Sequence, residues 1–169
     1  MAGNLVEKFE KYFHLYRAET DDEELVFLAT ATVEGLLFKI LKKYLVVSNL
    51  EIDTLLDRDR PLAGFGTRIN LAYRMGIISE GLFDELHLLR RIRKEFKNKI
   101  DCGTLEYRDV KEFCEKFKAP MSLKSKSESL RKDFPDTERG NFELTVVIMS
   151  SLLEDLLDKV ERISRSPLY

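Results

Sequence analysis

Residues 60–98, RPLAGFGTRINLAYRMGIISEGLFDELHLLRRIRKEFKN, decide how this chain is read. Pro61 disfavours helical geometry at Arg60, so the chain must turn there. Gly64 and Gly66 permit a tight approach to neighbouring backbone before a helix expected from about Phe65 to Met75, and Gly76 stops it. Ser79, followed by Glu80 and an apolar run, opens a second helix over Glu80 to Lys99. Its expected buried stripe is Leu82, Phe83, Leu86, Leu89, Ile92, Phe96 and Ile100.

Towards the N-terminus, Leu5, Phe9, Tyr12, Phe13 and Tyr16 fall at the three-and-four spacing of a one-sided helix over Leu5 to Arg17. Five acids, Glu19, Asp21, Asp22, Glu23 and Glu24, mark the next helix start, where anions favour the positive end of the dipole; this reads as a cap, not a metal site. The helix from about Asp22 to Val47 is apolar on most faces and reads as the central core element. At ~1.5 Å per residue it spans roughly 38 Å. Residues 49–59 suggest a short helical turn carrying Ile52, Leu55 and Leu56.

Towards the C-terminus, a helix of about Glu106 to Phe117 is expected to end at Pro120. Residues 122–140, rich in Ser, Lys, Arg and Asp, show no sustained periodicity and read as a mobile basic loop with Lys124, Lys126, Arg131 and Lys132. Asn141 is expected to cap a last helix to about Ile163, lying beside the 22–47 helix. No strand pattern appears. The expectation is an all-α fold, a single compact domain over residues 1–169 with six or seven helices and no sheet.

Hydrophobic residues at 44% and charged residues at 34% exclude a disordered or fibrous chain. A net charge of −2 gives no whole-molecule attraction to a polyanion, so a nucleic-acid contact would need a local patch. Cys102 and Cys114 sit in no CxxC and far from either histidine, so they read as free thiols, with no metal site and no cofactor. The N-terminus lacks the apolar core of a secretory signal, and the long apolar stretches are broken by charges. A cytoplasmic location with no membrane span is expected.

Chemistry concentrates at the end of the 80–99 helix, where Arg90, Arg91, Arg93, Lys94, Lys97 and Lys99 accompany one acid, Glu95. Arg90, Arg93, Lys94 and Lys97 share one stripe, able to hold phosphates or acidic groups. The competing reading is a solvated helix C-terminus, with Asp84 and Glu85 reaching forward to the arginines. Glu34 interrupts the apolar surface of the 22–47 helix and reads as a helix-tying partner for an arginine or as a solvated position.

The order PLAGFGTRI, LAYRMGIIS, then an acidic helix closing in IRKEF, resembles the mannitol operon repressor family of bacterial regulatory proteins. The resemblance implies that Arg68 and Arg93 stand at arginine positions of that family, with an acidic residue near Glu34. The family's helix commonly ends RNDFAH, similar to the RxxxxH of HEPN-type helical domains, many of which cleave RNA. Here those six positions read Arg93-Lys94-Glu95-Phe96-Lys97-Asn98. Asn98 cannot exchange a proton near neutral pH as histidine can, which argues against RNA cleavage. Arg68 and Arg93 read equally as ligand contacts or as ties to Glu34 or Asp101.

No Ser/His/Asp order, Gly-rich phosphate loop or HExxH is present, and no catalytic residue is assigned. Arg68, Arg90, Arg93, Lys94 and Lys97 are the candidate ligand- or partner-binding residues. The expected function is non-catalytic: transcriptional regulation of carbohydrate use, as a repressor-like protein working mainly through a protein partner. Direct DNA contact is left open, because the helix after the Met75-Gly76-Ile77 turn begins EGLFDELHLL, acidic where base-reading donors are needed. Homodimerisation is left open too. The alternative is a degenerate HEPN-like protein that binds or cleaves RNA.

Overall fold

Asp21 ends the first interhelical turn and its Oδ1 accepts from Glu24 N at 3.0 Å, so the acidic cluster does cap a helix. The computed structural model describes residues 4–48, 53–57, 59–99 and 102–164. Among these the chain forms eight α-helices and no strand: α1 (Leu5–Arg17), α2 (Asp22–Tyr44), α3 (Phe65–Arg74), α4 (Glu80–Asn98), α5 (Arg108–Cys114), α6 (Lys118–Lys124), α7 (Glu128–Asp133) and α8 (Glu138–Lys159). The all-α expectation holds, with eight helices in place of six or seven.

α2 and α8 lie side by side at the centre, α1 packs along α8, and α3 and α4 lean on α2. Leu25, Leu37, Ile40, Leu41, Leu144, Val146 and Met149 are fully buried between them. Each such aliphatic side chain contributes about 1.5–3 kcal/mol on removal from water. Small polar residues let the central helices approach closely because their hydroxyls are satisfied: Thr30 donates to Val26 O, Ser151 to Val147 O, and Tyr16 shares a 2.6 Å bond with Ser150. The one core cluster runs from Tyr12 to Leu153.

α3 closes through two paired bonds, Gly76 N to Tyr73 O and Ile77 N to Ala72 O, with Gly76 at φ +70. This is the glycine-dependent helix ending, and it turns α4 back against α3. Ser79 caps α4 through Leu82 N. Leu86, Leu89, Ile92 and Phe96 are buried as the stripe predicts, while Leu82 and Phe83 are half-buried and Ile100 lies outside the described residues.

Several expectations are corrected. The 122–140 segment is not a loop: it contains part of α6, all of α7 and the start of α8. Its Lys124 is buried and donates to Pro135 O, Asp136 Oδ1 and Asn141 Oδ1, turning an apparent surface cation into a bracket for residues 135–141. Pro120 does not end a helix; α5 stops at Cys114, and Pro120 occupies the first turn of α6, where its missing N–H costs nothing. Thr137 rather than Asn141 caps α8, accepting from Gly140 N, and α8 ends at Lys159. Similarly α2 ends at Tyr44, three residues before the expected Val47. Asp101 and Ile52 lie outside the described residues.

Candidate functional site

α2, α3 and α4 meet where Glu34, Arg68 and Arg93 converge. Glu34 Oε2 accepts from Arg93 Nη1 at 3.1 Å, and Glu34 Oε1 lies 3.7 Å from Arg68 Nη1. One carboxylate therefore bridges two arginines brought by two different helices. Arg68 is the buried member, its side chain 11% exposed against 39% for Arg93. It donates from Nε to Leu62 O at 2.8 Å and from Nη2 to Leu56 O at 2.9 Å, and its guanidinium lies 4.7 Å from the Phe38 ring centroid. These contacts hold Leu56 and Leu62 against α3. A guanidinium suits this place because its forked donors reach two carbonyls while its plane rests on a ring.

Beyond Arg93, α4 presents its cationic stripe to solvent. A concavity of about 380 Å³ is lined by Phe65, Arg90, Arg91, Arg93, Lys94 and Lys97. Among the described residues, Arg90, Lys94 and Lys97 form no hydrogen bond or ion pair. Arg91 is spread over Phe113 at 6.0 Å. Lys99 does not belong to the open stripe: Asp109 and then Glu95 pair with it and hold its ammonium above the ordinary range. Arg90 lies across Gly66, where a Cβ would stand 2.8 Å from Nε. The glycine thus sets the close approach of α3 to an α4 side chain, not to backbone as the sequence suggests.

Asp84 and Glu85 do not reach forward to the arginines. Asp84 pairs with Lys118 at 3.3 Å, and buried Glu85 accepts from the backbone N–H groups of Lys118 and Ala119 at 3.1 and 2.9 Å. Glu85 so caps α6 from another helix. With Pro120 supplying no N–H, it satisfies the donors of the first three residues of α6. Nothing local in sequence marks this role, since the partners lie 33 and 34 residues away.

A second concavity of about 480 Å³ lies on the other flank of α4, lined by Phe83, Asp84, His87, Leu88, Arg91, Lys116 and Lys118. Arg91 borders both. His87 Nε2 lies 3.0 Å from Asn70 Oδ1, and burial, then Arg90 and Arg91, lower its pKa from the usual 6.5. His14, on α1, packs against Phe13 and is exposed. Asn98 is exposed at the last residue of α4. No three His, Cys, Asp or Glu side chains gather as a metal site among the described residues, and no described helix is long and apolar enough to cross a membrane.

Of the residues singled out from sequence, the structure joins Glu34 to Arg68 and Arg93 and gathers Arg90, Arg93, Lys94 and Lys97 around one concavity. Sequence reasoning missed Phe83, His87, Leu88, Lys116 and Lys118 as lining of one groove, because α5 and α6 return to α4 only in three dimensions.

No protein-family model matches the sequence, and no curated protein matches it. Solved structures do match in fold. A chain of the MtlR–HPr complex from Escherichia coli superposes with a TM-score of 0.63 at 14% identity, covering 88% of this chain and 99% of that one. A possible transcriptional regulator, YggD, from Shigella flexneri superposes with a TM-score of 0.62 at 12% identity, covering 90% of this chain and 96% of that one. The chain therefore has an MtlR-like fold.

Proposed function

We propose that this chain is a non-catalytic regulatory protein of the mannitol operon repressor type, acting in transcriptional control of carbohydrate use by docking a protein partner on the cationic face of α4. The observation that carries the proposal is the division of labour among its arginines. Arg68 and Arg93 are engaged by Glu34, leaving Arg90, Lys94 and Lys97 presented around an open, shallow concavity. Unpaired cations at the rim of such a surface steer and select an acidic partner. The chemistry of a nuclease is not supported: the residue five after Arg93 is Asn98, and Arg93 is neutralised by a carboxylate.

Direct DNA reading is also disfavoured. The acidic first half of α4, which a helix-turn-helix reader would insert into the groove, holds the start of α6 through buried Glu85. The fold neighbour MtlR occurs in complex with HPr, a protein, and HPr is the first partner to titrate.

The test is chemical cross-linking in nuclease-treated native extract, with calorimetric titration of purified HPr alongside, for the wild type and for the Arg90→Glu, Lys94→Glu, Lys97→Glu triple variant. A cross-linked protein that survives nuclease and is lost in the variant is the expected result. Retention that depends on nucleic acid, or any RNA cleavage abolished by Arg93→Ala, overturns the reading.

A further inference from the structure

We infer that the groove between α4 and the α5–α6 segment is an anchor site for an acidic partner segment carrying one large apolar side chain. This rests on the docking reading above and adds to it where the partner is gripped and by what. The groove floor is apolar, from Phe83 and Leu88, and its rim carries Arg91, Lys116 and Lys118. Arg91 also borders the concavity that continues along α4 towards Lys97. Arg91 therefore stands between an apolar hollow on one flank of α4 and the unpaired cationic stripe on the other.

The charge pattern selects a partner with several carboxylates, since Asp84 is the one acid on the two linings and it is already paired with Lys118. The state of the aromatic rings selects protein over RNA. Single-stranded nucleic acid binds cationic tracks by stacking bases on open ring faces. Here Phe83 packs against Tyr73 at 4.4 Å with the rings tilted by 30°, and is met edge-on by His87 at 4.6 Å. Phe113 lies under Arg91 and Lys116, and Phe65 is buried. The hollow instead offers the sides of Phe83 and Leu88 to an aliphatic or aromatic side chain, with cations placed to receive flanking carboxylates.

The probe is a fluorescein-labelled twelve-residue peptide with alternating Glu and Ser and one central Phe, measured by anisotropy with the full chain. Three comparators are the same peptide with Phe→Ser, the wild-type peptide against Lys116→Glu plus Lys118→Glu, and a labelled poly-U RNA. Both lysines are exposed, so that variant is expected to fold. We expect the Phe→Ser peptide to bind at least tenfold more weakly, as loss of one buried apolar side chain requires, and the double variant to lose a similar factor.

Site occupancy is read by histidine NMR. The chain holds two histidines, and His87 ring signals should shift while those of His14 stay fixed. Equal affinity for the two peptides, an unmoved His87, or RNA binding tighter than the Phe peptide overturns the anchor site. If a cross-linked partner is still lost in the Arg90/Lys94/Lys97 variant while these measurements fail, the docking function stands and the anchor alone falls. If the partner also persists in that variant, both fall.

Discussion

The carboxylate of Glu34 on α2 lies 3.1 Å from the guanidinium of Arg93 on α4, across 59 residues of sequence, and the same carboxylate faces Arg68 on α3 at 3.7 Å. Three helices are thus registered by one acid. Replacing it by Glu34→Gln leaves the more buried Arg68 short of its counter-charge, with an expected loss of about 1–2 kcal/mol. Arg68→Lys should cost about 2–3 kcal/mol, since an ammonium cannot serve Leu56 O and Leu62 O together while keeping its place over the Phe38 ring. Urea unfolding of the single and double variants measures both and their coupling. The Arg93 half of the bridge, being more exposed, should couple to Glu34 by less than about 1 kcal/mol.

Two glycine substitutions separate stability from binding. At Gly140 a Cβ would meet Pro135 O at 2.1 Å, a backbone atom that cannot swing away, so Gly140→Ala should destabilise by about 2–3 kcal/mol. At Gly66 the obstacle is the flexible Arg90 side chain. Gly66→Ala should leave stability unchanged or raise it by up to about 1 kcal/mol, while displacing Arg90 and weakening partner binding. Thermal melts beside the partner titration distinguish the two outcomes.

Both cysteines are buried free thiols. Burial pushes the Cys114 thiol up to about 12, and burial, reinforced by Glu95, raises Cys102. At pH 8 the reactive thiolate is therefore depleted in the native state. Alkylation by iodoacetamide should be slow when folded and fast in denaturant; rapid native labelling would contradict the burial.

Acid should destabilise the fold through specific pairs. Lys159, then Lys8, hold Asp155 below its ordinary 3.8; Lys99 lowers Asp109, and Lys111 lowers Glu138 below 4.5. A carboxyl lowered in the folded state adds stability above its unfolded pKa and loses it as pH falls through the folded one. The decline should begin below about pH 4.5. Glu24, raised by hydrogen bonding and repulsion from Glu19, acts oppositely and should make Glu24→Gln mildly stabilising at pH 7. Melting temperatures from pH 7 to pH 2 test the sign.

Restoring the histidine should not create a nuclease. Asn98→His completes RxxxxH, yet Arg93 remains paired with Glu34. A fluorogenic RNA assay is expected to show no cleavage above the wild type.

Much of the fold was legible because its signals are local. α1 has the bounds its spacing predicts, with Tyr12 and Tyr16 of its stripe buried and Leu5 exposed; Asp21 and Ser79 cap as their types dictate, and Gly76 stops α3 as only a residue tolerant of positive φ does readily. From sequence the 122–140 segment reads as a loop because α6 and α7 have too few turns to show a period and owe their order to distant partners: Glu85 at the start of α6, and Lys124 bracketing residues 135–141.

The same division runs through the site. Residue type and spacing are enough to place the charges and to put the cationic stripe on α4, since a helical face follows from spacing along one element. That Glu34 neutralises Arg93 and Arg68, that Arg90, Lys94 and Lys97 stay open, and that Lys116 and Lys118 close a groove against Leu88 follow from the packed fold alone. Those outcomes depend on which helices lie side by side, and that is set by burial of the whole apolar surface at once rather than by any stretch of neighbouring residues.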